Sequence, residues 1–430
     1  MSNILNKTSF LGALALVLTS ALGTSCTPGG DVDVEQNKFL IYNLDSQTGE
    51  YRLSRESITT IRDVRSADGD VISMQGGGKL ATPYPDPQTK EEWEKALTIE
   101  GAQAPVIEYT IDDDGTVVPW DFDSAMILTV YHHIERANVY FDNIPLDDAL
   151  RADLGGGVGE LVGKIPCFYY PSVTIAGIPL PLFTDNAAYA YTMNAFIVPP
   201  RLSLDDAVPI YANRGVMTHE YSHAVFNRLV YNGERVPAFV LEKWDSDPFK
   251  LRAYNELGGL DEGIADIFGA FDTNDPNYIA ASISTELIDR DLAVPRYYEE
   301  CLHMAVESGV YPASADCGGD YAEGGSGTDS QGVRFDYAAG GQYDSHHLGA
   351  VAASVIWALY EQNQEQLGGG VMERIVVQSL RDIQNPDDSF RITEFFDAVY
   401  ENMPADLQPE ACQLFQERLI VIRDELQCQP

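Results

Sequence analysis

Basic side chains are scarce in this sequence. Lys and Arg number 27 against 66 Asp and Glu in 430 residues, a formal net charge of −39. A chain without a basic footprint does not bind nucleic acid or an anionic membrane face by simple electrostatics, because phosphate binding needs clustered cations. Cysteine is sparse too, six in all. None is spaced as CxxC, which excludes the usual cysteine-ligated metal sites. Beyond residue 26 no stretch is apolar enough to supply the roughly 20 residues that span a bilayer. No internal repeat is visible, which excludes repeat architectures. What is present is ordinary: 45% hydrophobic and 22% charged residues make a globular composition, in a chain long enough for two or three structural units.

The N-terminus carries an address. Residues 1–26, MSNILNKTSFLGALALVLTSALGTSC, hold one charged side chain, Lys7, then an apolar run from Phe10 to Leu22, then small residues. That is the order of a secretory signal peptide. The small residues ending in Cys26 resemble the lipobox of bacterial lipoproteins, with Gly23 where the pattern has Leu and Leu22 one place early. Cleavage after Gly23 or Ser25 is the alternative. The expectation is an exported protein, either lipid-anchored in a bacterial cell envelope or secreted, meeting membrane only through such an anchor. Export permits disulfides. Cys301 with Cys317 and Cys412 with Cys428 would close two local loops and leave Cys167 free.

Residues 27–33 read as a tether. From Lys38 to about Val118, strand-like segments such as FLIYNL and VIEYTI alternate with turn clusters. A helical stretch follows over Ser124–Tyr140, with apolar residues at 3–4 spacing. Residues 160–200 read as strands. After Tyr211 the chain is mostly helical, apart from a Gly/Asp/Ser-rich loop over 312–343. The expected divisions are 1–26 (signal), 27–118 (a β-rich extension, a short pro-segment, or an extension of the lobe that follows), 119–235 and 236–430 (helical). The expected fold class is α+β.

Three elements carry chemistry. At 219–223 the chain reads His-Glu-Tyr-Ser-His. On a helix, positions i and i+4 share a face, so His219 and His223 can bind one metal ion, with Glu220 in reach of a water on it. Two histidines packed in a core helix are the plainer alternative. A hydrolytic zinc site needs a third protein ligand. The metzincin pattern would place Gly and His where Phe226 and Leu229 stand, which leaves a glutamate from a later helix. In GGLDEGIADIFGAF (258–271), Glu262 and Asp266 again share a face. Buried on an apolar helix, both need partners. Glu262 as ligand and Asp266 as acceptor from a ligand histidine would satisfy them; a polar edge on an amphipathic helix is the alternative. In YDSHHLGAVAASVIWALY (343–360), His346 and His347 open a helix of small residues that can approach a neighbour closely. A histidine there could stabilise an oxyanion, oriented by Asp344, or be merely exposed. His132, His133 and His303 suggest no role beyond packing.

These elements, in this order, resemble the gluzincin metallopeptidases of the thermolysin and fungalysin families, over roughly residues 120–360. The resemblance implies a two-lobed zincin fold, strand-rich then helical, with a zinc cleft between the lobes. It implies a monomeric zinc endopeptidase acting on peptide or protein substrates. It implies His219, His223 and Glu262 as zinc ligands, Glu220 as general base, and Asp266 and Asp344 as supports. His346 becomes the transition-state histidine, because Gly349 completes H-x-x-G, with His347 as the alternative. Asn194-Ala195 matches the Asn-Ala pair on the edge strand that binds substrate backbone. Tyr231 stands in for a family tyrosine near the oxyanion. The calcium-binding Asp of thermolysin is Gly215 here, so calcium would have to sit elsewhere, with Asp272 and Asp275 of DTNDPN as candidates beside a plain turn. A surface protein that keeps the fold for binding alone, and a zinc hydrolase of non-peptide substrates, are the competing readings.

Overall fold

The computed structural model describes residues 38–45, 50–82, 90–93, 98–175, 178–179, 187–199, 208–234, 248–282, 290–312, 325–328, 334–337 and 343–428. The signal segment with Cys26, the tether, Cys317 and most of the 312–343 loop lie outside them. The α+β class holds: strands dominate the first half and helices the second.

Strand β1 (Lys38–Asp45) pairs antiparallel with β2 (Glu50–Ser57). Short strands β3 (Ile61–Asp63), β4 (Asp68–Gly69), β5 (Ile72–Gly76), β6 (Lys79–Thr82), β7 (Thr98–Glu100), β8 (Tyr109–Ile111) and β9 (Val117–Pro119) follow. After three helices come β10 (Ile165–Tyr169), β11 (Ser172–Ile175), β12 (Ile178–Pro179), β13 (Ala188–Ala190) and β14 (Ala195–Val198). They build sheets in the orders β2-β1-β9-β8, β13-β14-β10-β5-β4-β3 and β12-β11-β6-β7. Strand pairing crosses the boundary expected near residue 118. β5 lies parallel to β10, from Ile72↔Ile165 to Gly76↔Tyr169, so residues before 118 hydrogen-bond into the same sheet as residues after it. In the full chain they share that sheet's hydrogen-bond ladder with the second segment.

Between β9 and β10 lie the helices α1 (Phe122–Asp142), α2 (Asp148–Leu154) and α3 (Val158–Val162). Asp121 caps α1, its Oδ1 accepting the Ser124 N–H at 2.7 Å. Most of α1 is buried, and its one buried carboxylate ties it to the chain before β3: Glu135 Oε1 accepts from the Thr59 N–H, the Thr60 N–H and the Thr59 hydroxyl at 2.7, 2.9 and 2.7 Å. The second half contributes α4 (Arg214–Leu229), α5 (Pro248–Thr273), α6 (Glu300–Ser308), α7 (Ser345–Gln362), α8 (Val371–Asp382), α9 (Ile392–Asn402) and α10 (Gln408–Arg418). The Gly/Asp/Ser-rich stretch expected to be a loop contains an antiparallel pair, β15 (Gly325–Thr328) with β16 (Arg334–Tyr337). Cys412 and Cys428 are bonded and Cys167 is free and buried.

Helix α4 is buried along nearly its whole length, so its ends must be satisfied within the protein. Asn213 caps it by accepting the Gly215 N–H at 2.9 Å. The Tyr51 hydroxyl, from β2, donates to Asn213 Oδ1 at 2.8 Å and accepts the Arg214 N–H at 2.9 Å. Arg214 clamps α4 to the C-terminal end of α5, its Nε 2.7 Å from Asp272 Oδ2 and its Nη2 2.5 Å from Oδ1. Thr218 Oγ1 donates to the same carboxylate at 2.9 Å. Asp272 is thus fully engaged, and Asp275 Oδ1 accepts the Asn277 N–H at 2.9 Å as part of a turn. The calcium reading of DTNDPN is corrected to a turn beside an ion pair. Gly215 has its own reason to be glycine: a Cβ there would lie 2.3 Å from the Tyr278 ring.

His132 and His133 sit inside the protein on α1. Burial lowers the His132 pKa to about 4 and holds His133 well below the ordinary imidazole value. Between about pH 6.5 and pH 4 the unfolded chain binds a proton at His132 that the folded chain refuses, so stability present above that window is lost as pH falls through it. The acid loss expected from His132 alone is about 3 kcal/mol. Chemical denaturation at pH 7 and pH 4.5 checks it: His132→Phe should lose less stability across that interval than wild type.

Candidate metal centre

His219 and His223 project from one face of α4 towards Glu262 on α5. Their Nε2 atoms lie 3.2 Å apart. Glu262 Oε2 lies 3.4 Å from His219 Nε2 and 3.7 Å from His223 Nε2. Among the described residues this is the group of metal-ligating side chains close enough to hold an ion.

The partners on the far side of each imidazole fix what faces inward. His219 Nδ1 lies 3.0 Å from Asp266 Oδ1 and His223 Nδ1 lies 2.9 Å from Asp261 Oδ1. A carboxylate at Nδ1 holds the proton there, so each neutral imidazole presents a lone pair at Nε2. Two lone pairs at 3.2 Å, with a carboxylate oxygen beside them, repel unless a cation sits among them. A proton relieves one edge of that triangle only, and Glu262 Oε2 is buried without a well-formed hydrogen bond. Three donors converging on one point fit a metal. Bond lengths of about 2.0–2.1 Å in a tetrahedron put ligand atoms about 3.3–3.4 Å apart, close to the three edges observed. The donor set therefore fits a divalent ion of the zinc type.

Electrostatics point the same way. Burial disfavours charge on Glu262, yet His346, His223 and His219 around it hold its carboxyl well below the usual range. Burial likewise opposes a charge on His223, but Asp261 and Glu262 outweigh it and raise its pKa to about 10. The centre draws positive charge, as protons or as metal. Burial pushes the Glu220 carboxyl up, which suits a group that must take a proton near neutral pH.

Glu220 lies beside the triad, where its Oε2 accepts the backbone N–H of Tyr189 on β13 at 2.8 Å. The arrival of α7 completes the site. A Cβ at Gly349 would lie 2.8 Å from the Gly263 nitrogen and 2.9 Å from Glu262 Cβ, so glycine lets α7 approach closely enough to bring His346 in. His346 Nε2 is 3.1 Å from Glu262 Oε2 and its Nδ1 is 2.6 Å from Asp344 Oδ1. With 37% of its side chain exposed, His346 is open to solvent. His347 turns away and meets the Tyr311 hydroxyl at 2.5 Å. Of the adjacent pair, His346 is the one at the triad.

No family model matches the chain, and no curated protein matches it. The reading of the site rests on its own geometry.

Asn194 and Ala195 are not where the sequence placed them. Asn194 occupies the turn Tyr191–Asn194 with φ +47°, and its side chain accepts from the Tyr189 hydroxyl at 2.7 Å. Ala195 is fully buried in β14, which runs between β13 and β10. The strand at that edge of the sheet, among the described residues, is β13. Another Asn-Ala pair, Asn186-Ala187, immediately precedes it in the sequence, and Ala187 is buried at its start. Tyr231 packs against Phe226 and Tyr191, behind the histidines.

Four residues here were not identified from the sequence. Asp261 is the carboxylate on His223, and Tyr191 donates to it. Tyr278 donates to Asp266 at 2.7 Å, and Arg290 pairs with that same carboxylate, its Nε 3.2 Å from Oδ2. Asp261 adjoins Glu262 and faces His223 across the helix pair, a clue that the DE dipeptide offered; the others lie too far off in the chain to be read.

Zinc added to metal-stripped protein should raise the thermal midpoint, by the equivalent of about 2.7 kcal/mol at a hundredfold excess over Kd. His223→Ala should abolish that rise. Differential scanning fluorimetry with and without zinc reads both.

Proposed function

We propose that the protein is a zinc metalloendopeptidase of the gluzincin type, a two-lobed zincin with its cleft between the strand-rich first half and the helical second half. The observation that carries the reading is the triad itself: two imidazoles from HExxH and a glutamate from the next helix, with a second glutamate and a histidine bracketing them.

The metal, held by His219, His223 and Glu262, supplies Lewis acidity towards a water and towards a carbonyl oxygen when it is bound. Every other part belongs to the chain's own side chains and backbone. Glu220 has one oxygen fixed by the Tyr189 N–H, which leaves Oε1 to take the proton of the attacking water and deliver it to the departing amine. Burial raises its pKa above the ordinary carboxylate value, which makes it a stronger base for that transfer. His346 is held at Nδ1 by Asp344; burial opposes a charge on it, but Glu262 and Asp344 outweigh burial and raise its pKa to about 10, so the ring is an imidazolium that also carries a donor at Nε2. There it opposes the negative charge that develops on the carbonyl oxygen in the tetrahedral state. The outer edge of β13 offers backbone groups to an extended peptide, which would add as a further strand. The Tyr189 N–H already points out from that edge to Glu220, so the same strand aligns substrate and base.

Lipid anchoring or secretion of the mature chain is part of the same proposal. It is compatible with the formal charge of −39 and with the lack of any helix among the described residues long and apolar enough to cross a membrane.

Cleavage of an unstructured protein substrate should be lost with chelator and restored by zinc. Glu220→Gln should lower kcat by 10²–10⁴ while leaving zinc binding intact. Turnover by Glu220→Gln at the wild-type rate would sink the mechanism, and zinc-loaded wild type without turnover would leave a binding protein. His346→Ala should lower kcat more than it raises KM.

A further inference from the structure

The two ligand histidines are supported unequally. His219 leans on Asp266, and Asp266 is held by two donors from outside its helix, Tyr278 and the Arg290 guanidinium. His223 leans on Asp261. Among the described residues the donor on the other oxygen of Asp261 is the Tyr191 hydroxyl alone. A phenol hydrogen-bonded to a buried carboxylate is a strong and directional contact, and the Tyr191 ring has little freedom to lose it. It packs edge-on against Tyr189, Tyr231 and the His223 ring itself, with centroids at 5.1, 6.2 and 6.5 Å.

Tyr191 begins the turn between β13 and β14, one residue past the edge strand. Two positions earlier in the same hairpin, the Tyr189 N–H holds Glu220. One hairpin therefore contacts both the carboxylate behind a metal ligand and the neighbouring Glu220.

We propose that Tyr191 is a positioning residue: through Asp261 it sets the orientation of His223 and so ties the β13–β14 hairpin to the metal centre. The inference rests on the metal centre described above and does not require peptidase activity. Loss of the Tyr191 hydroxyl leaves Asp261 free to rotate or recruit water, and His223 Nδ1 loses its fixed acceptor. Loss of the Tyr278 hydroxyl leaves Asp266 still gripped by Arg290. The asymmetry is what distinguishes an orienting contact from general packing.

The test is zinc affinity of the full chain, measured by competition with a chromophoric chelator. Tyr191→Phe should weaken zinc binding 10- to 100-fold, the range for lost outer-sphere partners. Tyr278→Phe should weaken it several-fold less. The thermal midpoint of the metal-free protein should stay close to wild type in both, because the rings remain. Asp261→Asn should weaken zinc to a similar degree, and Tyr191→Phe should then add little on that background, as a double-mutant cycle requires for partners acting in series. Unchanged zinc affinity in Tyr191→Phe overturns the proposal, and so does an equal loss on the Asp261→Asn background. A higher KM for peptide at unchanged zinc affinity would make Tyr191 a substrate contact and overturn it too. A wild-type chain that binds no zinc overturns the metal centre and this inference together; zinc binding without cleavage overturns only the peptidase reading.

Discussion

Two imidazole nitrogens held 3.2 Å apart with their lone pairs facing are the constraint around which the second half of this protein is arranged. The arrangement is unfavourable by itself, and it persists because each ring is anchored from behind by a buried carboxylate that fixes its tautomer. Those carboxylates in turn cost free energy to bury unless they are hydrogen-bonded. This accounts for the tyrosines and the arginine around Asp261 and Asp266, and for the glycine at 215 that makes room for one of those tyrosines. A demand made at the centre is met by residues two contacts away.

Close approach of helices is the second device. α4, α5 and α7 meet around Glu262, and the glycines at 263 and 349 let backbones come nearly into contact. Backbone carries no rotamer freedom, so atoms set by it are placed more firmly than atoms at the end of long side chains. The proposed chemistry takes advantage of this. Glu220 is fixed by a strand N–H, Asp344 caps the helix that presents His346, and the ligands come from helix interiors.

Much of this was legible in the sequence, and the boundary between what was and what was not is physical. HExxH and the Glu262–Asp266 pair are local: a spacing of four on a helix dictates a shared face without reference to the rest of the fold. The closeness of α7 was legible from its small residues for the same reason. Asp261, Tyr191, Tyr278 and Arg290 act across long separations, and a tyrosine beside a buried aspartate leaves no periodic trace. Asn194-Ala195 was misplaced because Asn serves equally well in a strand and in a left-handed turn, and the chain uses it in the turn. Strand pairing across residue 118, β5 with β10 above all, was not legible because pairing between distant segments is invisible to composition.

The Arg214–Asp272 pair gives the scaffold an unusual independence. It joins the N-terminal end of the ligand-bearing helix to the C-terminal end of its partner with a guanidinium that belongs to the chain. No chelator can extract that cation and no dilution can remove it. Stripping the proposed metal would therefore silence the centre while the surrounding helices stay clamped, so loss of activity and loss of structure can be observed as separate events.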